Sequence, residues 1–288
     1  MRTRILAAVA VALLLQVAAR AQDGGEKHVR ADLIADAAVV AGEPFRVAVR
    51  LTIDPKWHLS WVNPGASGQP PTVVFSLPDG FTASAVEFPT PTRLAGPGGG
   101  SSFVYEKEAV LLATVTPPKG LKPGGKPLEF SAAVTFLACS EAECLRGGRT
   151  AALRLPVAAR ARPANADAFR AYAARVPVSP AQDPNLARVD FHVKGDALDV
   201  TITWRNAVTD PDLLPLPDEA REVAGGKGKV DGTESTHTLT VKTIPGKKPA
   251  SHKLAVVAGY TDKAGQRRGA LLNIPVDVPP DAERPEEK

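Results

Sequence analysis

Cys139 and Cys144 are the only two cysteines of this 288-residue chain, and Ser140, Glu141, Ala142 and Glu143 separate them. Two thiols at that spacing can close as a structural disulfide, cycle between dithiol and disulfide, or share a metal ion. The metal reading is the weakest, because no His-x-His pair or second cysteine pair stands near them to complete a tetrahedral set. A disulfide closing about six residues adds only about 2 kcal/mol. That is a small gain for a chain long enough to bury real cores, so both the staple and the working redox pair stay open. Exchange needs an accessible thiolate. Glu141 and Glu143 oppose thiolate formation, whereas Arg146 and Arg149 just beyond favour it.

The compartment follows from the first residues. Arg2 and Arg4 precede the apolar run Ile5 to Leu15, and Ala19-Arg20-Ala21 supplies a small-x-small cleavage pattern. Residues 1–21 therefore read as a signal peptide, and the mature protein as exported to an oxidising compartment, where a close cysteine pair becomes a disulfide. No cysteine follows the apolar run to carry a lipid, and no later segment has 18 consecutive apolar residues, so no membrane span is expected after cleavage. Residues 1–21 hold three arginines and no acid, so their loss lowers the formal charge from +4 to +1. Without a basic stripe, a nucleic-acid partner is not expected. G-x-S-x-G, H-E-x-x-H and phosphate-binding glycine motifs are all missing, because Gly96 to Gly100 lacks the following lysine and helix. No cofactor or metal is expected.

The elements that must position the cysteines alternate with period two. Phe45, Val47, Val49, Leu51 and Ile53 mark a half-buried strand, and Trp57, Leu59 and Trp61 repeat the pattern after Asp54-Pro55. Leu128, Phe130, Ala132, Val134, Phe136 and Ala138 line one face of a long strand running into Cys139; Ala151, Leu153, Leu155 and Val157 line another. With Gly147-Gly148 read as turn residues, the cysteines fall at the tip of a hairpin, where cross-strand distances suit a disulfide. Pro and Gly clusters between such strands indicate an antiparallel sandwich. Asn165 is placed to cap a short helix in which Phe169, Tyr172, Ala173 and Val176 share a face, ended by Pro177 and Pro180. A second β segment follows: Val189–Val193, Leu198–Trp204, His237–Thr243, Lys253–Gly259 and Ala270–Val276.

The stretch Trp57 to Pro71, W-H-L-S-W-V-N-P-G-A-S-G-Q-P-P, resembles the signature of the N-terminal domain of the thiol:disulfide interchange protein DsbD and its ScsB-type relatives. Phe81, Phe88-Pro89-Thr90-Pro91-Thr92-Arg93, Tyr105-Glu106 and Phe136-Leu137-Ala138-Cys139 follow in the family's order. The resemblance implies an all-β chain: an immunoglobulin-like sandwich over residues 28–158 carrying a redox disulfide. A linker with a short helix over 159–184, a second, smaller β-sandwich over 185–278 and a disordered tail over 279–288 complete the expected organisation.

It also implies that Cys139 and Cys144 are the exchanging pair of a protein-disulfide reductase component, Cys144 attacking and Cys139 resolving. A separate membrane-bound thiol reductase is the implied electron donor, because the chain has neither a transmembrane conduit nor a thioredoxin-like C-x-x-C domain. Periplasmic disulfide-containing or thioredoxin-like proteins are the implied acceptors. Phe103 or Tyr105 is expected to cap the disulfide, with Glu106 beside them or at the docking surface. His58, between two tryptophans, reads first as a surface or hydrogen-bonded structural histidine, and a place near the disulfide or at the docking surface is its alternative. The competing reading is a non-catalytic periplasmic binding module whose single disulfide is structural.

Overall fold

The computed structural model describes residues 22–96 and 99–276. The expected signal peptide and the tail from residue 279 lie outside the described residues. Eleven strands form the first unit: β1 (Gln22–Asp23), β2 (Val29–Ala35), β3 (Phe45–Ile53), β4 (His58–Gly65), β5 (Thr72–Ser76), β6 (Thr82–Ala83), β7 (Thr92–Ala95), β8 (Ser101–Glu106), β9 (Glu108–Thr116), β10 (Leu128–Cys139) and β11 (Cys144–Leu155). One sheet runs β1-β11-β10-β4-β8-β7, and the other runs β2-β3-β9-β6. The long β10 carries two neighbours on one edge, β5 beside its first half and β4 beside Ala138 and Cys139.

Period-two alternation sends one face of each sheet inward. Val47, Val49 and Leu51 of β3 meet Phe130, Ala132, Val134 and Ala138 of β10 in a single core. Phe130 joins the sheets, with its ring edge-on to Phe45 and to Phe81 at 5.9 and 5.4 Å. Such aromatic pairs add about 0.5–1.5 kcal/mol beyond area burial.

Helix α1 (Ala166–Ala173) follows. Phe169, Tyr172 and Ala173 of the helix, and Val176 just beyond its end, pack on Ala48, Val110 and Leu112 on the far side of the four-stranded sheet; the helix stops at Ala173, ahead of Pro177. Asn165, however, makes no side-chain cap. Its backbone is left-handed (φ 53°) and its Nδ2 donates instead to Ala35 O at 3.0 Å, tying the helix start to β2.

The second unit contains β12 (Leu186–Lys194), β13 (Ala197–Trp204), β14 (Thr209–Pro215), β15 (Arg221–Gly225), β16 (Lys229–Asp231), β17 (Glu234–Thr243), β18 (Lys253–Thr261) and β19 (Arg267–Pro275). These form a β12-β13-β17-β15 sheet, with β16 also on β17, facing a β14-β18-β19 sheet. The chain is thus all-β, an immunoglobulin-like sandwich followed by a short helix and a smaller sandwich. The five strands read from periodicity become eight among the described residues.

The two units are bonded together through segments that the sequence motifs mark. Arg93 of β7 grips the Asp212 carboxylate of β14 with Nε and Nη2, at 2.7–3.0 Å, and its guanidinium lies 5.0 Å from the centre of the Phe103 ring. Asn63 Nδ2 donates to Pro215 O at 2.8 Å, and Arg267 Nε donates to Pro91 O at 2.9 Å. Leu214 and Val257 of the second unit join the first unit's core. A cleft of about 1450 Å³ opens beside this contact, between Arg93 and Ser101 on one side and the Gly225–Gly228 turn on the other. None of the disulfide's residues lines it.

Candidate functional site: a disulfide at the end of a four-strand row

The cysteines are bonded, with Cα atoms 4.0 Å apart. They pair directly across the β10–β11 ladder, closing a hairpin whose loop is Ser140–Glu143. Ser140 builds this turn. Its N–H donates to Glu143 O at 2.8 Å, and its Oγ accepts from the N–H groups of Ala142 and Glu143 at 3.3 Å each. A serine hydroxyl that satisfies nearby backbone donors fixes a tight turn in this way.

Gly147 and Gly148 are not the turn. They lie inside β11, opposite Phe136 and Thr135. A Cβ at Gly147 would stand 2.6 Å from both Glu26 N and Phe136 Cε2, so glycine is there for close packing. Gly147→Ala is therefore expected to destabilise the protein by about 1–3 kcal/mol through overpacking. A urea midpoint within error of wild type would show that the 24–28 segment yields freely.

Pairing continues from Cys139 to His58 on β4, and from His58 to Glu106 on β8. Partners directly opposite in a sheet point to the same face. Cys144, Cys139, His58 and Glu106 thus form one row across four strands. The next row, Leu145, Ala138, Leu59 and Tyr105, is buried beneath the sheet. The disulfide row therefore occupies the sheet's outer face, at one end of the strands.

Exposure differs along it. Cys139 is 4 % exposed, Cys144 and His58 are half-buried, and Glu106 is exposed. Burial lowers the His58 pKa, and the Glu106 carboxylate acts against that by raising it.

Phe103 and Tyr105 take the other face. Both are buried in the core, Phe103 edge-on to Trp61, and the Tyr105 hydroxyl donates to Pro89 O at 2.7 Å, its pKa raised well above the usual value by burial. Neither ring stands over the sulfurs, because residues at odd positions of β8 point inward while Glu106 points outward. The expected aromatic cap from these two residues is thus corrected. Of that set, His58 stands directly across from Cys139, and Glu106 lies one strand beyond His58 on the same face.

Of the two arginines beyond Cys144, Arg149 bonds the carbonyls of Val29, at 3.0 Å, and Glu26. Arg146 shares the face of Cys144 and is exposed. The loop after β4 folds back on the outer face, where Ser67 Oγ meets Ser102 Oγ at 3.1 Å. Gly68, with φ 112°, lies so close that a Cβ would stand 2.0 Å from Ser60 Oγ.

Residues 29–155 match the family described as thiol:disulfide interchange protein DsbD, N-terminal. This segment belongs to that family. Both cysteines, His58 and Glu106 lie inside it. The crystal structure of the N-terminal periplasmic domain of ScsB from Proteus mirabilis is similar over 86 % of this chain and 94 % of that one, at 18 % identity and a TM-score of 0.59. That likeness extends through both sandwiches and shows the shared fold. The reduced N-terminal domain of Neisseria meningitidis DsbD matches 46 % of this chain and 89 % of its own, at 15 % identity and a TM-score of 0.27. Among curated proteins none matches the chain in sequence. No helix among the described residues is long and apolar enough to cross a membrane.

Proposed function

We propose that this chain is a periplasmic thiol–disulfide exchange protein whose Cys139–Cys144 pair passes electrons to other extracytoplasmic proteins. One observation carries the reading. Within a DsbD N-terminal segment, the chain's two cysteines close a disulfide in which one residue is half-buried and the other is 4 % exposed. A nucleophile must reach a partner's sulfur, whereas a resolving thiol need only reach its neighbour.

The Cys144 thiolate attacks the partner's disulfide, and the partner's first sulfur leaves as a thiolate. Cys139 then attacks Cys144, releasing the partner's second sulfur. The partner gains two electrons and two protons, and this chain is left as the disulfide. A membrane-bound thiol reductase is the donor that restores the dithiol. The acceptors are periplasmic disulfide-bearing or thioredoxin-like proteins.

The reduction potential tests this reading. Equilibration against glutathione buffers, with the thiols trapped and counted, is expected to give a value between about −270 and −180 mV. A value below about −300 mV would identify a structural disulfide. The chain would then be a binding module that docks partners through its two sandwiches.

A further inference from the structure

We propose that His58 is the proton acceptor for Cys139 during resolution of the mixed disulfide, with Glu106 as the residue that positions and supports its imidazolium. This rests on the exchange reading above and assigns a role that exchange through two cysteines alone does not require.

Register supplies the geometry. Cys139 and His58 are direct cross-strand partners, and His58 and Glu106 are the next pair in the same row. Side chains so paired have Cβ atoms about 4.5–5.5 Å apart on one face. The chemical need comes from burial. Cys139 is 4 % exposed, and an apolar, desolvated setting holds a thiol in its protonated form. Once Cys144 is tied to a partner, Cys139 must lose that proton to attack, and the partner covers the outer face from water.

His58 is suited to take the proton. Burial favours its neutral, proton-accepting form, while the carboxylate of Glu106 favours the cation once formed. Cys139 faces it from β10 and Glu106 from β8. Asp54 and Lys56 precede it on the turn into β4, with Asp54 held by His28 Nδ1 at 3.3 Å, and Lys107 follows Glu106. Among these charges, that of Glu106 is the one that reaches the imidazole.

The step balances within the protein. The Cys139 S–H proton passes to the imidazole, and the Cys139 sulfur bonds to Cys144 as the Cys144–partner bond breaks. The partner's sulfur leaves with the electron pair, and His58 or solvent returns a proton to it.

The experiment uses the reduced mature protein and an aromatic disulfide probe that releases a coloured nitrothiobenzoate. The first equivalent reports attack by Cys144, and the second, unimolecular release reports resolution by Cys139. Wild type is expected to show a second phase whose rate rises through the range in which an imidazole titrates. His58→Gln is expected to slow that phase about 100-fold near pH 7 and to move its midpoint up toward that of a thiol.

Glu106→Gln, at an exposed position, is expected to move the lower limb to lower pH, because the carboxylate no longer raises the imidazole's pKa. Circular dichroism and the thermal midpoint identify a variant that has simply unfolded. A folded His58→Gln whose pH profile superimposes on wild type overturns the proposal, as does a Glu106→Gln profile that does not move. If wild type itself never releases the second equivalent, the exchange reading fails rather than the role of His58.

Discussion

Arg93→Met is expected to cost about 3–5 kcal/mol of unfolding free energy, the loss associated with stranding one member of a buried ion pair. The Arg93 and Asp212 side chains are only 12 % and 6 % exposed. Removing the guanidinium leaves the Asp212 carboxylate without its two-toothed partner in a setting too dry to solvate it. The same change also removes a donor from Leu213 O and a cation from the face of Phe103. Arg93→Lys is therefore no conservative exchange, since an ammonium cannot reproduce the planar fork.

Replacing both partners, as Arg93→Met with Asp212→Leu, is expected to recover only part of the loss. Asp212 is no longer stranded, but the desolvated Arg267 guanidinium loses the Asp212 carboxylate that favours its charged form. The exposed pair Arg154–Glu129, with side chains 76 % and 68 % accessible, provides the contrast. Glu129→Gln should cost under about 1 kcal/mol. Urea unfolding separates these cases through the midpoint at unchanged slope. An Arg93→Met midpoint as small in its shift as Glu129→Gln would mean that the two sandwiches are not clamped by this pair.

The clamp bears on function through its location. It fastens the second sandwich at β7 and at the Asn63 end of β4, while the disulfide row sits at the opposite, His58 end of β4. The bonds to the second unit at Arg93 and Asn63 thus lie away from the disulfide row. Restricting relative motion of the two sandwiches fixes whatever part of the docking surface the second one supplies.

How legible this was in the sequence depended on the range of the physics involved. Strand β10 was plain because six alternating apolar residues run straight into Cys139, and the face of α1 was plain from its spacing. Strand β14 was hidden by Pro211 and Pro215, which argue against a central strand. They are tolerated because β14 is the edge of its three-stranded sheet. Gly147-Gly148 carried a turn signature, but Gly147 serves a tight crossing of the 24–28 segment, a contact that no local pattern announces. Alternation along β8 could have placed Phe103 and Tyr105 together on the core face. The row from Cys144 to Glu106 needed the register of three strand pairs, and Arg93 and Asp212 are 119 residues apart. Local pattern shows which residues can do chemistry; only long-range register shows which of them meet.

The two cysteines should prove unequal when replaced one at a time. Either Cys→Ser change removes the same covalent link, so each loses about the same 2 kcal/mol of loop-closure stabilisation. That fits within a typical domain stability of about 5–15 kcal/mol, and both variants should fold. Their reactivities should diverge. Cys139→Ser keeps the half-buried Cys144, which is expected to react with a disulfide probe at close to the wild-type first-phase rate. It then stays in the mixed disulfide because nothing resolves it. Cys144→Ser keeps only the buried Cys139, which is expected to react slower by about tenfold or more, since a desolvated thiol yields little thiolate. Mass spectrometry after mixing with a disulfide-bearing periplasmic protein would show the trapped adduct for Cys139→Ser and little for Cys144→Ser. Equal rates and equal trapping would remove the assignment of Cys144 as the attacking sulfur. The reverse order would place the nucleophile at Cys139, where the row would set His58 beside the attacking thiolate instead of the resolving one.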